Sequence, residues 1–218
     1  MKKVFNILFV GIIGFILNSC DLPPSDYYNN NSPIPDSSEL QYEIINKLFD
    51  VTENDEKTVY TFDTNVREFS LEKGTTFWNV IKKSQSFENF EVNVRKCSGK
   101  PYGGYGIVFN VDIKTKSMFC ILINTKQQVC FGKIRNGGFN FIENWSNENS
   151  YLYSGWNTDN KIYITKETSD YYVYINDLFY KKIAYDSEIA FEGNVGLCAV
   201  ITSDENFPEE AVKIVWEY

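Results

Sequence analysis

The chain has 218 residues, 43% of them apolar and 17% aromatic, and a formal charge of −8. That length suits one domain of about 170 residues behind a processed start. An acidic chain without a basic stripe cannot displace counterions from phosphates, which excludes nucleic acid, and the absence of histidine removes Ser-His-Asp and Cys-His catalysis and histidine-containing zinc sites.

In chain order, Lys2 and Lys3 precede an apolar stretch, residues 4–17, interrupted by Asn6. It is too short for a comfortable transmembrane helix and has the make-up of a signal-peptide core. It ends in Leu17-Asn18-Ser19-Cys20, which resembles the bacterial lipobox, although Asn18 departs from the usual small residue. The resemblance implies cleavage before Cys20, lipid on Cys20, a bilayer as partner and a bacterial cell-envelope location. The alternative is an ordinary secretory signal with a chance cysteine. Residues 21–36, DLPPSDYYNNNSPIPD, are polar, rich in Pro and Asn, and expected to form a flexible tether. The expected division is therefore a signal peptide (1–19), a lipidated Cys and tether (20–36), a short helix or extended lead-in (37–56) and a β-sandwich (57–218). Within the lead-in, Leu40, Ile44, Ile45 and Leu48 fall at helical spacing, although residues 43–51 also read as an edge strand.

From residue 57 the pattern is strand after strand. Residues 58–62, 68–71, 77–82, 87–95, 105–111, 117–123, 127–134, 139–143 and 195–201 read as strands, and 211–218 as the last one. The clearest stretch is 160–183. Ile162 and Ile164 alternate with Tyr163 and Thr165, and Tyr171, Val173 and Ile175 with Tyr172 and Tyr174. Asn176-Asp177 then supplies a two-residue turn that needs positive φ. About a dozen short strands without a long helix predict an all-β, antiparallel two-sheet sandwich.

The order of the pieces resembles the concanavalin A-like lectin/glucanase jelly roll, including its laminin-G-like forms. The matching pieces are the 90–94 strand, Tyr105-Gly106-Ile107-Val108-Phe109, the 119–123 and 129–133 hairpin, Trp145, Asn160, Tyr174-Ile175-Asn176-Asp177, and Gly193-Asn194-Val195-Gly196-Leu197. The resemblance implies a concave sheet face where sugars or peptides sit. It is specific for fold, not for function. Glycosidases of this fold carry Glu-x-Asp-x-Glu or Glu-x-Asp-x-x-Glu on a strand, and the sequence has neither run. Glu143 to Glu148 (ENWSNE) is the nearest carboxylate pair.

Aromatic faces stack on sugar rings, and neighbouring amides bond hydroxyls. The candidate ligand residues are Trp145, Tyr151, Tyr153, Trp156, Asn157, Tyr172 and Tyr174. Core packing is the competing reading for each. The acidic loops at Asp204-Glu205 with Glu209-Glu210, and at Thr158-Asp159-Asn160, are where calcium would bind. No loop offers a ligand series, so solvated surface charge and no cofactor are expected. If Ile123 faces Gln127 across a three-residue turn, Cys120 lies opposite Cys130. A disulfide there would leave Cys97 and Cys198 as a second pair, with buried free thiols as the alternative. The leading functional reading is a non-catalytic envelope module that binds carbohydrate or an extracellular protein partner. A glycoside-active enzyme with an unrecognised carboxylate pair, and a structural lipoprotein without a ligand site, are the alternatives.

Overall fold

Alternation of apolar and polar side chains places one row of each strand inside and one outside, and the chain answers it with 13 strands among the described residues. The computed structural model describes residues 49–65, 75–81, 88–135, 138–189, 193–206 and 209–218. The signal, Cys20 and tether readings, and the strand expected at 68–71, lie outside these residues.

Seven strands form one antiparallel sheet, in the order β1 (Phe49–Glu53), β2 (Thr58–Asp63), β13 (Lys213–Glu217), β4 (Asn89–Ser98), β9 (Asn160–Glu167), β10 (Asp170–Ile175) and β11 (Leu178–Ile183). Six form the other: β3 (Thr75–Val80), β12 (Asn194–Ile201), β5 (Tyr105–Asp112), β6 (Ser117–Ile123), β7 (Val129–Arg135) and β8 (Gly138–Glu143). Phe49–Glu53, left by the sequence as lead-in, is an edge strand paired with β2. Phe49 is buried against Phe62 and Trp216, which supplies the packing a lone short segment lacks.

The core lies between the sheets. Phe90, Val92 and Val94 of β4, Ile162 and Ile164 of β9, and Tyr171, Val173 and Ile175 of β10 meet Ile107, Phe109, Phe119, Ile121, Leu197 and Ala199 from the other sheet. Trp216 Nε1 donates to Gly106 O at 2.9 Å across the core. Gly106 cannot carry a side chain, because a Cβ there would stand 2.1 Å from Ile121 O. The Asn176-Asp177 turn has φ of 49° and 67° and joins Ile175 to Leu178 in register, as a primed hairpin requires.

The six-stranded sheet is buried on both faces: every residue of β6 is buried. Its outer face carries Trp78, Val80, Val108, Met118, Cys120, Leu122, Cys130, Ile134 and Cys198, which form a second apolar cluster.

The β6–β7 register corrects the sequence reading. Ile123 faces Val129, not Gln127, so Cys120 lies opposite Gly132 and Cys130 opposite Leu122. The turn is longer because Gln127 adopts φ 58° and Asn124 Oδ1 accepts from Lys126 N and Gln128 N. Cys97, Cys120, Cys130 and Cys198 are free thiols. Cys97 sits on the seven-stranded sheet and Cys198 on the other.

Candidate functional site

At one end of the sandwich, three connections are tied together by their backbones. Residues 99–104 link β4 to β5, 124–128 link β6 to β7, and 144–159 link β8 to β9. Thr125 N and Oγ1 both donate to Pro101 O, at 3.2 and 3.1 Å. Gly155 N donates to Thr125 O, Asn149 N to Gln127 O, and Asn157 N to Lys96 O. Trp156 Nε1 reaches across to Gly99 O at 3.1 Å. Loops laced this way hold their side chains as a scaffold would.

Beneath them lies a buried ion pair. Lys96 follows Val92 and Val94 on the inward row of β4 and is fully buried. Its Nζ donates to Lys100 O at 2.6 Å, Gly103 O at 3.3 Å and Glu205 Oε1 at 3.3 Å. Glu205 Oε2 accepts from Lys100 N at 2.7 Å. Burial pushes the Lys96 pKa down, against the pull of Glu205. Gly103 makes room, since a Cβ there would stand 2.4 Å from Nζ.

On this base stand three exposed rings: Tyr102 (57% exposed), Tyr153 (57%) and Trp156 (48%). Asn157, also exposed, turns the chain at φ 57°. Asp159 pairs with Arg95 at 2.9 Å, and Arg95 pairs with Glu217 at 2.6 Å. Buried Asn160 anchors the arm from both of its polar atoms: Oδ1 accepts from Tyr153 N and Nδ2 donates to Tyr153 O.

The other sequence candidates lie elsewhere. Trp145 is half-buried, its ring close over Gly104 and packed against the outer cluster of the six-stranded sheet. Tyr151 is half-buried with its ring 6.4 Å from that of Tyr180. Tyr172 and Tyr174 are on the outer face of the seven-stranded sheet, in a row with Tyr163 and Phe179. Ion pairs border that row, including Lys161–Asp177 and Lys182–Asp170. Sequence reasoning brought Tyr153, Trp156 and Asn157 together and missed Tyr102. The available signal was an aromatic between two turn formers, Pro101-Tyr102-Gly103, where a core role is least expected.

No family model matches the sequence, and no curated protein matches it. Solved structures do match in shape. A carbohydrate-binding module, CBM66, from Bacillus subtilis aligns at TM-score 0.51 and 17% identity, over 76% of this chain and 88% of that one. A β-glucanase from Bacillus licheniformis aligns at TM-score 0.50 and 12% identity, over 77% and 80%. The fold is the concanavalin A-like jelly roll. At these identities the likeness concerns the fold alone.

In the acidic loops Asp159, Asp204, Glu209 and Glu210 are exposed, as the sequence suggested, and Glu205 alone departs from that reading. Glu205 is buried against Lys96, Glu210 accepts from Asn206, and Asp159 is held by Arg95. Among the described residues no group of three or more His, Cys, Asp or Glu side chains is placed to hold a metal.

Among the described residues, Asp186 and Glu188 are held below the usual carboxylate range by hydrogen bonds from Lys133, and Glu217 by hydrogen bonds from Lys57 and Arg95. Where the β8 and β11 edges of the jelly roll meet, a cleft of about 430 Å³ has Phe119, Phe131 and Ile183 among its lining. Near it Lys181 pairs with Glu143, and Lys133 with Asp186 and Glu188.

Proposed function

We propose that this chain is a lipid-anchored protein of the bacterial cell envelope, held through acylated Cys20, that binds carbohydrate without catalysis. The ligand seat is the loop end carrying Tyr102, Tyr153 and Trp156. One observation carries the reading: three large rings stand exposed on adjacent loops that hydrogen bonds and a buried ion pair hold in place. Exposed rings without such support would lose conformational freedom on binding, whereas held rings have already lost it. Asn157 and the Arg95–Asp159 pair stand beside them to bond hydroxyls.

The fold supports the class. One of the similar structures is itself described as a carbohydrate-binding module. The glycosidase alternative shares the fold, as the β-glucanase does, and what favours binding over cleavage is that the sequence has no Glu-x-Asp-x-Glu or Glu-x-Asp-x-x-Glu run.

The test is a glycan array on the soluble chain from residue 37 at physiological salt, with Trp156→Ala and Tyr102→Ala alongside. Selective binding lost in both variants supports the reading. Binding that survives both moves the site elsewhere, and silence across the array overturns the carbohydrate reading. The anchor is tested separately, by fatty-acid labelling in bacteria with Cys20→Ala. Label that persists in the variant overturns it.

A further inference from the structure

We propose that the cleft between β8 and β11 is a second carbohydrate seat, one that takes an uncharged sugar. It shares its ligand class with the reading above and rests on it for that class, but it does not use the loop end.

The surface marks the place first. Among the described residues ten large apolar side chains are exposed, and five of them, Phe141, Ile142, Leu178, Phe179 and Tyr185, stand on β8, on β11 or just after it. Single exposed apolar residues are ordinary, whereas a group of them at one edge marks a contact site. This edge is apart from the loop end. β7 leaves that end at Val129, and Lys133 stands four residues further along the strand, about 13 Å away.

Both edge strands are shaped. β8 and β11 are the last strands of their sheets and meet through Lys181 and Glu143. Each carries a bulge: Ile142 has no partner on β7 between Phe141 and Glu143, and Tyr180 none on β10 between Phe179 and Lys181. Each side also turns a lysine inward. Lys133 continues the row of Val129 and Phe131. Lys181 continues the row of Ile183, with its Nζ 5.7 Å from the centre of the Phe131 ring. Bulges and inward charges stop a further strand from pairing, so this edge does not accept an extended peptide. Between the strands lies the cleft of about 430 Å³, within the range of about 300–1,000 Å³ that ligand sites occupy.

The lining selects the ligand. Phe119 and Phe131 are 2% exposed and Ile183 is 4% exposed, so the floor is sealed and an acyl chain cannot pass into the core. The cations around the cleft are all paired: Lys133 with Asp186 and Glu188, Arg135 with Glu188, Lys181 with Glu143, and Lys182 with Asp170. An anionic ligand would have to displace a carboxylate from one of them. What the cleft offers is apolar surface from Ile142, Ala184 and Tyr185 beside hydrogen-bonding groups in fixed positions. Asp186 Oδ1 accepts from Glu188 N and its Oδ2 from Lys133, each at 2.9 Å, and each oxygen keeps a lone pair for a hydroxyl. Ser187 adds an exposed hydroxyl of its own. A sugar ring, with an apolar face and several hydroxyls, matches both kinds of surface.

Glycan-array binding of the full chain tests this. Ser187→Trp and Ile142→Trp, both at exposed positions, fill the cleft from opposite walls. The double variant Tyr102→Ala, Trp156→Ala should lose the glycans that use the loop end and keep a separate set of uncharged ones. Adding Ser187→Trp to it should weaken that set tenfold or more, and adding Ile142→Trp should weaken the same set. If either Trp variant fails to melt as a folded protein, the other decides. Loss of every signal in the loop double variant would leave the loop reading standing and overturn this one. A retained set that ignores the Trp variants, or that consists of acidic glycans, would overturn it as well. An array silent for the wild type would overturn the carbohydrate reading and this inference with it.

Discussion

Lys96 Nζ stands 3.3 Å from Glu205 Oε1 in a site that excludes water from both side chains. The pair joins β4 to the connection between β12 and β13, and through Lys100 and Gly103 it also fixes the loop that carries Tyr102. Breaking a buried pair from one side leaves an uncompensated charge and costs about 3–5 kcal/mol. Lys96→Met and Glu205→Leu should each lower the unfolding free energy on that scale. Lys96→Met with Glu205→Leu should cost less than either single change summed with the other, because no orphan charge remains. Urea denaturation of the four proteins gives the double-mutant cycle. Additive losses would show that the two groups do not interact.

The loop rings and the sheet-face rings make different claims. Tyr102, Tyr153 and Trp156 project from braced loops, whereas Tyr174 packs beside Tyr163 and Phe179 at centroid separations of 5.6 and 5.7 Å. Removing an exposed stacking ring typically costs at least about 1.4 kcal/mol, a tenfold loss of affinity. Trp156→Ala and Tyr102→Ala should each weaken glycan binding tenfold or more with little change in melting temperature. Tyr174→Ala and Phe179→Ala should leave affinity unchanged. Calorimetric titration with an array-selected glycan decides, and the reverse pattern would move the seat to the sheet face.

Asn176 ties the hairpin to the arm bearing those rings. Its Nδ2 donates to Tyr151 O at 2.7 Å and Asn160 Oδ1 at 2.9 Å, and its Oδ1 accepts from Lys161 N at 2.8 Å. Asn176→Gly keeps the positive φ but removes all three hydrogen bonds, each worth about 0.5–1.5 kcal/mol net. A loss of about 2 kcal/mol is expected, or roughly 4–8 °C in melting temperature for a domain of this size. A variant as stable as wild type would mean that the turn conformation alone matters.

What the sequence could and could not reveal follows from range. Ile162, Ile164, Val173 and Ile175 declare their face by local alternation, and Asn176-Asp177 declares its turn by chemistry that needs two residues. Lys96 occupies the same inward row as Val94, yet a lysine there reads as the strand leaving the core. Its partner is 109 residues away, so no local pattern marks the pair. The run from Met118 to Ile123 is apolar throughout, which signals burial on both faces without naming what packs there. The β6–β7 turn misled because Gln127 takes a positive φ that glycine or asparagine would have advertised. The loops that carry Tyr102 and Trp156 meet through the hydrogen bond from Trp156 to Gly99, a contact made by folding.

Acid should act on the seam between β2, β4 and β13. Glu217 accepts hydrogen bonds from Lys57 at 2.8 Å and Arg95 at 2.6 Å, and these hold its carboxyl below the usual carboxylate range. A folded-state pKa below the unfolded one means that the unfolded chain takes up the proton more readily. The stabilisation is therefore complete above the unfolded glutamate value of about 4.3 and is lost as pH falls through the lower folded value. Asp186, held down by Lys133, adds in the same direction. Glu217→Gln should be less stable than wild type at pH 7, and the gap should begin to narrow as pH falls below about 4.3 and close once pH is below the folded value. Denaturation midpoints at pH 7, 5 and 3 measure it, and a gap that stays constant across this range would show that the charge on Glu217 contributes nothing.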